Sequence, residues 1–86
     1  MASNAEVFAV IARALGDITA VPAATIRPEH RIVEDLGADG DDLSFVFVPE
    51  VERELGVRVD PSAWRSVHRV QDAVDILTAV ANARAS

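Results

Sequence analysis

A chain of 86 residues, half of them hydrophobic, has room for one small domain with a modest core. The absence of cysteine excludes a disulfide framework and a thiolate metal site, and no run of about 18 apolar residues could span a membrane. Fourteen acidic residues against eight basic ones give a net charge of −6, which argues against nucleic acid as a ligand and favours a protein partner with a basic surface, reached by electrostatic steering.

All eight basic residues are arginine, read here as coding bias of a GC-rich genome rather than function. The start, Met1-Ala2-Ser3-Asn4-Ala5-Glu6, lacks the basic end and apolar core of a secretion signal, so the expected location is cytoplasmic.

In chain order, residues 5–18 carry the first helical pattern. Val7, Ile11, Ala14, Leu15 and Ile18 recur at helical spacing, Ser3 or Asn4 is placed to cap it, and Gly16 and Asp17 suggest fraying. Residues 19–41 read as a long loop, because Pro22 and Pro28 forbid a continuous helix. Such a loop in a small domain is functional or packed by its own side chains; Ile26, Ile32, Val33 and Leu36 are expected to point inward.

The stretch Glu34-Asp35-Leu36-Gly37-Ala38-Asp39-Gly40-Asp41-Asp42-Leu43-Ser44 runs from this loop into a helix start. Gly37 and Gly40 break structure. Asp39, Asp41 and Asp42 can each accept hydrogen bonds from free amides there, and their charge suits the positive end of the helix dipole.

Residues 42–55 carry the second helix, on the four-residue stripe Leu43, Phe47, Val51 and Leu55, with Val46 and Val48 beside it. Pro49 interrupts it. An interior proline costs about 3 kcal/mol, so the helix either kinks there or restarts with Pro49 in its first turn. Gly56 ends the element. Asp60-Pro61 opens a short third helix anchored by Trp64. The last helix covers about 70–83, with Val70, Val74, Ile76, Leu77 and Val80 or Ala81 on its apolar side; Arg69 cannot cap it.

The four helices with one long connection predict a small all-α bundle, a single domain over 1–86 with its core at about 5–80. Ile26-Arg27-Pro28-Glu29, Glu34-Asp35-Leu36-Gly37-Ala38-Asp39, Glu52-Arg53-Glu54-Leu55-Gly56-Val57 and Val70-Gln71-Asp72-Ala73-Val74-Asp75 together closely resemble acyl carrier proteins. The resemblance implies a four-helix bundle with a long loop between helices 1 and 2, a short third helix, and an acidic second helix read by basic partner enzymes. In that family an Asp-Ser-Leu motif opens the second helix, and its serine carries the 4′-phosphopantetheine arm.

This sequence departs there. Reading forward from Asp35-Leu36-Gly37, Gly40 falls in the serine slot and Asp41 in the leucine slot. Reading backward from Gly56, the stretch is one residue too long and Asp41 falls in the serine slot. Neither register offers a hydroxyl, so no cofactor is expected. The variant Gly40-Asp41-Asp42 is similar to bacterial acyl-carrier-like proteins of uncharacterised function.

Ser44, about one turn past the slot, is the nearest hydroxyl; its ordinary reading is a helix-surface serine. A divalent cation on Asp39, Asp41 and Asp42 is set aside in favour of capping, since an EF-hand counted from Asp35 would put Gly37 third and Val46 twelfth. His30 and His68 sit in no ligand spacing, and no catalytic residue or enzyme activity is expected.

The expectation is a carrier-like domain without the attachment serine, docking a basic protein partner through Asp39, Asp41, Asp42, Glu50, Glu52 and Glu54. The alternative is a genuine carrier loaded on Ser44, with 4′-phosphopantetheine as its cofactor, in fatty-acid or polyketide-type biosynthesis.

Overall fold

The structure, a computed structural model, describes residues 2–85; Met1 and Ser86, the ends of the expected 1–86 domain, lie outside the described residues. Helix α1 spans Asn4–Ile18. Ser3 caps it: its Oγ accepts from the Glu6 N–H at 3.1 Å and donates to Glu6 Oε1 at 3.2 Å. Val7, Ile11, Ala14 and Leu15 are buried, as their spacing predicts. Gly16 and Asp17 do not fray the helix. A Cβ at Gly16 would stand 3.4 Å from Ala23, so the glycine lets the single 3₁₀ turn Ala23–Thr25 approach α1 closely. Thr19 ends the helix, its Oγ1 donating to the Leu15 carbonyl at 2.8 Å and accepting from the Val21 N–H at 3.2 Å.

The long connection is packed rather than free. Ile26, Ile32, Leu36 and Ala38 are buried, but Val33, expected inward, is 54 % exposed. The Asp35 and Leu36 N–H groups both donate to the Arg31 carbonyl, so 31–36 forms a helical turn. Such a turn carries Ile32 and Leu36 inward and swings Val33 outward by about 100°. A one-residue antiparallel bridge, Arg31 to Arg69, clips this loop to the entry of the last helix. There the Ile32 N–H donates to the His68 carbonyl at 2.8 Å and the Val70 N–H to the His30 carbonyl at 3.0 Å.

Helix α2 runs over 40–55 in three parts: an α turn Gly40–Asp42, a π turn Leu43–Phe47 and an α segment Val48–Leu55. The Val48 N–H donates to the Leu43 carbonyl, five residues back. Pro49 follows directly, in the first turn of the last segment. A regular turn would drive its ring against the carbonyl four residues earlier; the wider turn relieves that clash, and the chain stays helical throughout. The helix starts at Gly40, two residues earlier than its apolar stripe predicts. It ends in a Schellman motif: Gly56 sits at φ +67, the Gly56 N–H donates to the Arg53 carbonyl and the Val57 N–H to that of Glu52.

Helix α3 is a 3₁₀ helix, Pro61–Ser66, capped by Asp60, whose carboxylate accepts from the Ser62 N–H and hydroxyl. Its Trp64 is half-buried and meets Phe47 edge to face, ring centres 6.0 Å apart. Helix α4 is Val70–Ala85. Asp72 supplies its missing cap from within, accepting from the N–H groups of Arg69 at 2.9 Å and His68 at 3.0 Å. Val70, Ala73, Val74 and Leu77 are buried, while Ile76, Val80 and Ala81 are half-buried. With Val7, Ile11 and Leu15 of α1 and Phe47 and Val51 of α2 they form the core, an all-α four-helix bundle.

Candidate functional site at the start of the second helix

Leu36 and Ala38 are buried and anchor the chain just ahead of α2. Gly37, at φ +72, turns the backbone between them. Asp39 is extended, and its Oδ1 accepts from the Asp41 N–H at 2.8 Å while its carbonyl accepts from the Leu43 N–H at 2.9 Å. Asp39 alone of the three candidate aspartates caps the helix. Gly40 is the first helical residue, and a Cβ built on it would meet nothing within 4 Å. Asp41 and Asp42 are exposed in the first turn, where the dipole favours them.

The acidic residues expected to share one docking role divide into two groups. Glu52 turns back on its own fold, its Oε2 accepting from the Val59 N–H at 2.8 Å. Glu54 pairs with Arg13 of α1 at 3.3 Å. With Asp39 committed to the cap, Asp41, Asp42 and Glu50 remain, and among the described residues these three make no ion pair and accept no hydrogen bond through their side chains. Two residues that the apolar pattern did not mark as functional join them: Phe45 is 77 % exposed and Val46 is 45 % exposed. The cue was available, since Phe45 lies off the four-residue stripe.

Ser44 is exposed one turn after Gly40. Its hydroxyl makes no hydrogen bond among the described residues. It stands where two clefts meet, one of about 850 Å³ reaching toward Glu52, Arg58 and Val59, the other of about 390 Å³ floored by Ile32, Leu43, Phe47 and Val67. Trp64 lines both, and its indole N–H is buried without an acceptor among the described residues. His30 and His68 meet through the backbone bridge described above, and the His30 ring serves its own loop, Nδ1 accepting from the Arg27 N–H at 3.0 Å.

Three aspartates have their carboxyls held below the ordinary range. In Asp35 the Arg31 N–H does so first, aided by the Arg31 guanidinium; in Asp60 it is the N–H and hydroxyl of Ser62; in Asp72 it is the N–H of Arg69, then that of His68. All three fasten loops or helix starts, and none lies in the first turn of α2.

Comparison with known proteins agrees with the bundle. The acyl carrier protein of Nitratidesulfovibrio vulgaris (strain DP4) is 37 % identical over 62 residues, covering 72 % of this chain and 80 % of that protein. The acyl carrier protein of Thermotoga maritima is 31 % identical over 77 residues, 90 % of this chain and 94 % of that protein. That of Myxococcus xanthus is 30 % identical over 77 residues, 90 % and 96 % respectively. The chain belongs to the acyl carrier protein family. No family model matches it.

The start of α2, from the capping Asp39 through Gly40, Asp41 and Asp42, presents three carboxylates and one glycine, and the first hydroxyl after it is that of Ser44. No helix of the described residues is long and apolar enough to cross a membrane.

Proposed function

We propose that this acyl-carrier-like domain is not loaded with 4′-phosphopantetheine and works as a non-catalytic interaction module, docking a basic-surfaced protein through its acidic second helix. The observation that carries this reading is Gly40. It follows the capping Asp39 directly, it falls in the family's serine slot when the chain is read forward from Asp35-Leu36-Gly37, and it has no oxygen to bear the arm. Asp41 comes next, and its carboxylate would repel an incoming phosphate. Reading backward from Gly56 makes the stretch one residue too long for the family, and a π turn at Leu43–Phe47 is a turn that takes up one residue more than an α turn. That turn lies downstream of the slot, so it brings no hydroxyl back into it.

Docking draws support from Asp41, Asp42 and Glu50, whose carboxylates have no partner among the described residues. Exposed ion pairs are worth about 0–1 kcal/mol each, so several must act together. Their main effect is on the association rate, which salt then reduces. The same charge disfavours nucleic acid and anionic membrane as partners, and the proposed location is cytoplasmic.

The test is the intact mass after exposure to a broad-specificity phosphopantetheinyl transferase and coenzyme A, which should stay unchanged. A second reading keeps a place because Ser44 is exposed one turn from Gly40 and its hydroxyl makes no hydrogen bond among the described residues. A single adduct would overturn the proposal, and its mapping to Ser44 would establish a carrier loaded there.

A further inference from the structure

We infer that the turn from Arg27 to His30 is a pH-sensitive fastener: a proton gained at His30 Nδ1 releases the turn from the start of α4 and loosens one wall of the cleft beside Ser44. The first N–H groups of a helix have no partner within it, and in α4 the carbonyls of this turn take them. The Gln71 N–H donates to the Pro28 carbonyl at 2.9 Å and the Val70 N–H to that of His30 at 3.0 Å, while the Arg69 guanidinium donates to that of Glu29 at 3.0 Å. The turn itself is closed twice. The His30 N–H donates to the Arg27 carbonyl at 3.1 Å, and the Arg27 N–H donates to the half-buried His30 ring at Nδ1, 3.0 Å away. Ile32 and Val33, just beyond, line the cleft of about 390 Å³. The device operates independently of what α2 docks.

An Nδ1 that accepts must keep its lone pair, so the ring is neutral with its proton on Nε2. An imidazolium carries a proton on both nitrogens and turns a donor toward the Arg27 N–H. A free imidazole takes that second proton near about pH 6.5. Charged groups stand on both sides of the turn: Arg27, Glu29, Arg31 and Asp35 on the loop, and His68, Arg69 and Asp72 at the start of α4. Asp35 attracts the added charge, but its carboxylate already holds the Arg31 N–H and guanidinium, and Asp72 holds the N–H groups of His68 and Arg69. Arg27, Arg31, Arg69 and the positive end of the α4 dipole repel it. The fastener is therefore closed above the imidazole range and opens as pH falls through it. His68 joins the bridge only through its backbone, its carbonyl accepting from the Ile32 N–H.

The experiment follows amide hydrogen exchange of the full chain by NMR at about pH 7.5 and about pH 5.5, each rate divided by that of an unstructured peptide at the same pH. Protection at Ile32, Val70 and Gln71 should fall together by about fivefold at the lower pH, the factor that one hydrogen bond supports, while Ile11 and Leu15 of α1 keep theirs. His30→Asn places an amide oxygen near the position of Nδ1, an acceptor that does not titrate, and its protection should change by less than about twofold. His68→Gln should respond as wild type does. Proton–nitrogen correlation spectra of the imidazole rings should show His30 protonated on Nε2 alone at the higher pH. The inference is overturned by unchanged protection in wild type, by a fall in His30→Asn equal to that of wild type, by loss of the response in His68→Gln, or by a proton on His30 Nδ1 at the higher pH. An equal fall at Ile11 and Leu15 also overturns it, since the whole bundle would then be opening rather than this turn.

Discussion

The first half of α2 and its second half are built from similar residues and do opposite things. From Val51 onward most side chains other than the exposed Arg53 have a task inside the fold: Val51 is fully buried, Glu52 holds the Val59 N–H, Glu54 reaches Arg13 of α1, and Gly56 closes a Schellman motif. From Gly40 to Val46 no side chain is buried, and Asp41, Asp42, Phe45 and Val46 all face water. The π turn separates the halves. A helix with a stripe every four residues should present one continuous face, so the contrast shows that one extra residue, absorbed locally, lets the front of a helix be given over to solvent while the rear stays locked in the core.

The largest effect that can break this comparison lies between two phenylalanines. Phe47→Ala empties a site that is 1 % exposed and removes the edge-to-face partner of Trp64, so it should cost about 3–5 kcal/mol. A domain of this size has roughly 4–13 kcal/mol in total, so the variant will be near unfolding. Phe45→Ala should change stability by less than about 0.5 kcal/mol. Urea denaturation followed by circular dichroism compares the two, and equal losses would mean that the front of α2 is core after all.

Next in size is the π turn itself. Deleting Val46 shortens Leu43–Phe47 by one residue and permits a regular α turn, but it then sets Pro49 inside an α-helix. The expected cost is about 3 kcal/mol, and Pro49→Ala in the same chain should recover most of it. Should the deletion raise the denaturation midpoint with Pro49 in place, the turn is not an accommodation of that proline.

These contrasts mark what could be read in the sequence. The stripes Val7–Ile11–Leu15 and Val70–Val74–Leu77, the capping Ser3, the Asp60-Pro61 start and the Gly56 stop are short-range patterns, and the bundle follows from them. The π turn leaves that pattern unchanged: Leu43, Phe47, Val51 and Leu55 are spaced by four whether one carbonyl is skipped or not. Its trace in the sequence is Pro49, which a regular helix interior does not accept. Val33 was misplaced because 31–36 closes as a helical turn that no apolar repeat announces. At the candidate site, Glu50, Glu52 and Glu54 look alike in sequence; only the return of residues 57–60 past α2 commits Glu52 to Val59.

The acidic residues test that division at a smaller scale. Glu52→Ala strands the part-buried Val59 N–H and should cost about 1–3 kcal/mol. Asp39→Ala removes the helix cap and should cost about 1 kcal/mol. Asp41→Ala and Asp42→Ala should stay within about 0.5 kcal/mol. If Asp42→Ala destabilises as much as Glu52→Ala, the front carboxylates serve the fold and are not available for a partner.

The smallest effect separates tied from free carboxylates by pH. Asp72 accepts from the Arg69 and His68 N–H groups, which hold its carboxyl below the ordinary value of 3.8. A carboxyl whose folded value is depressed adds stability that is fully present above the ordinary value and is lost as pH falls through the folded one. Asp35 and Asp60 have the same sign, through Arg31 and Ser62. Wild type should therefore lose stability below about pH 4, and Asp72→Ala should be less stable at pH 7 yet approach wild type as the acid limb is descended. Urea midpoints at several pH values between neutrality and the acid limb decide it. A gap that widens toward acid would reverse the sign, and would mean that the start of α4 is fastened by something other than the ionised Asp72.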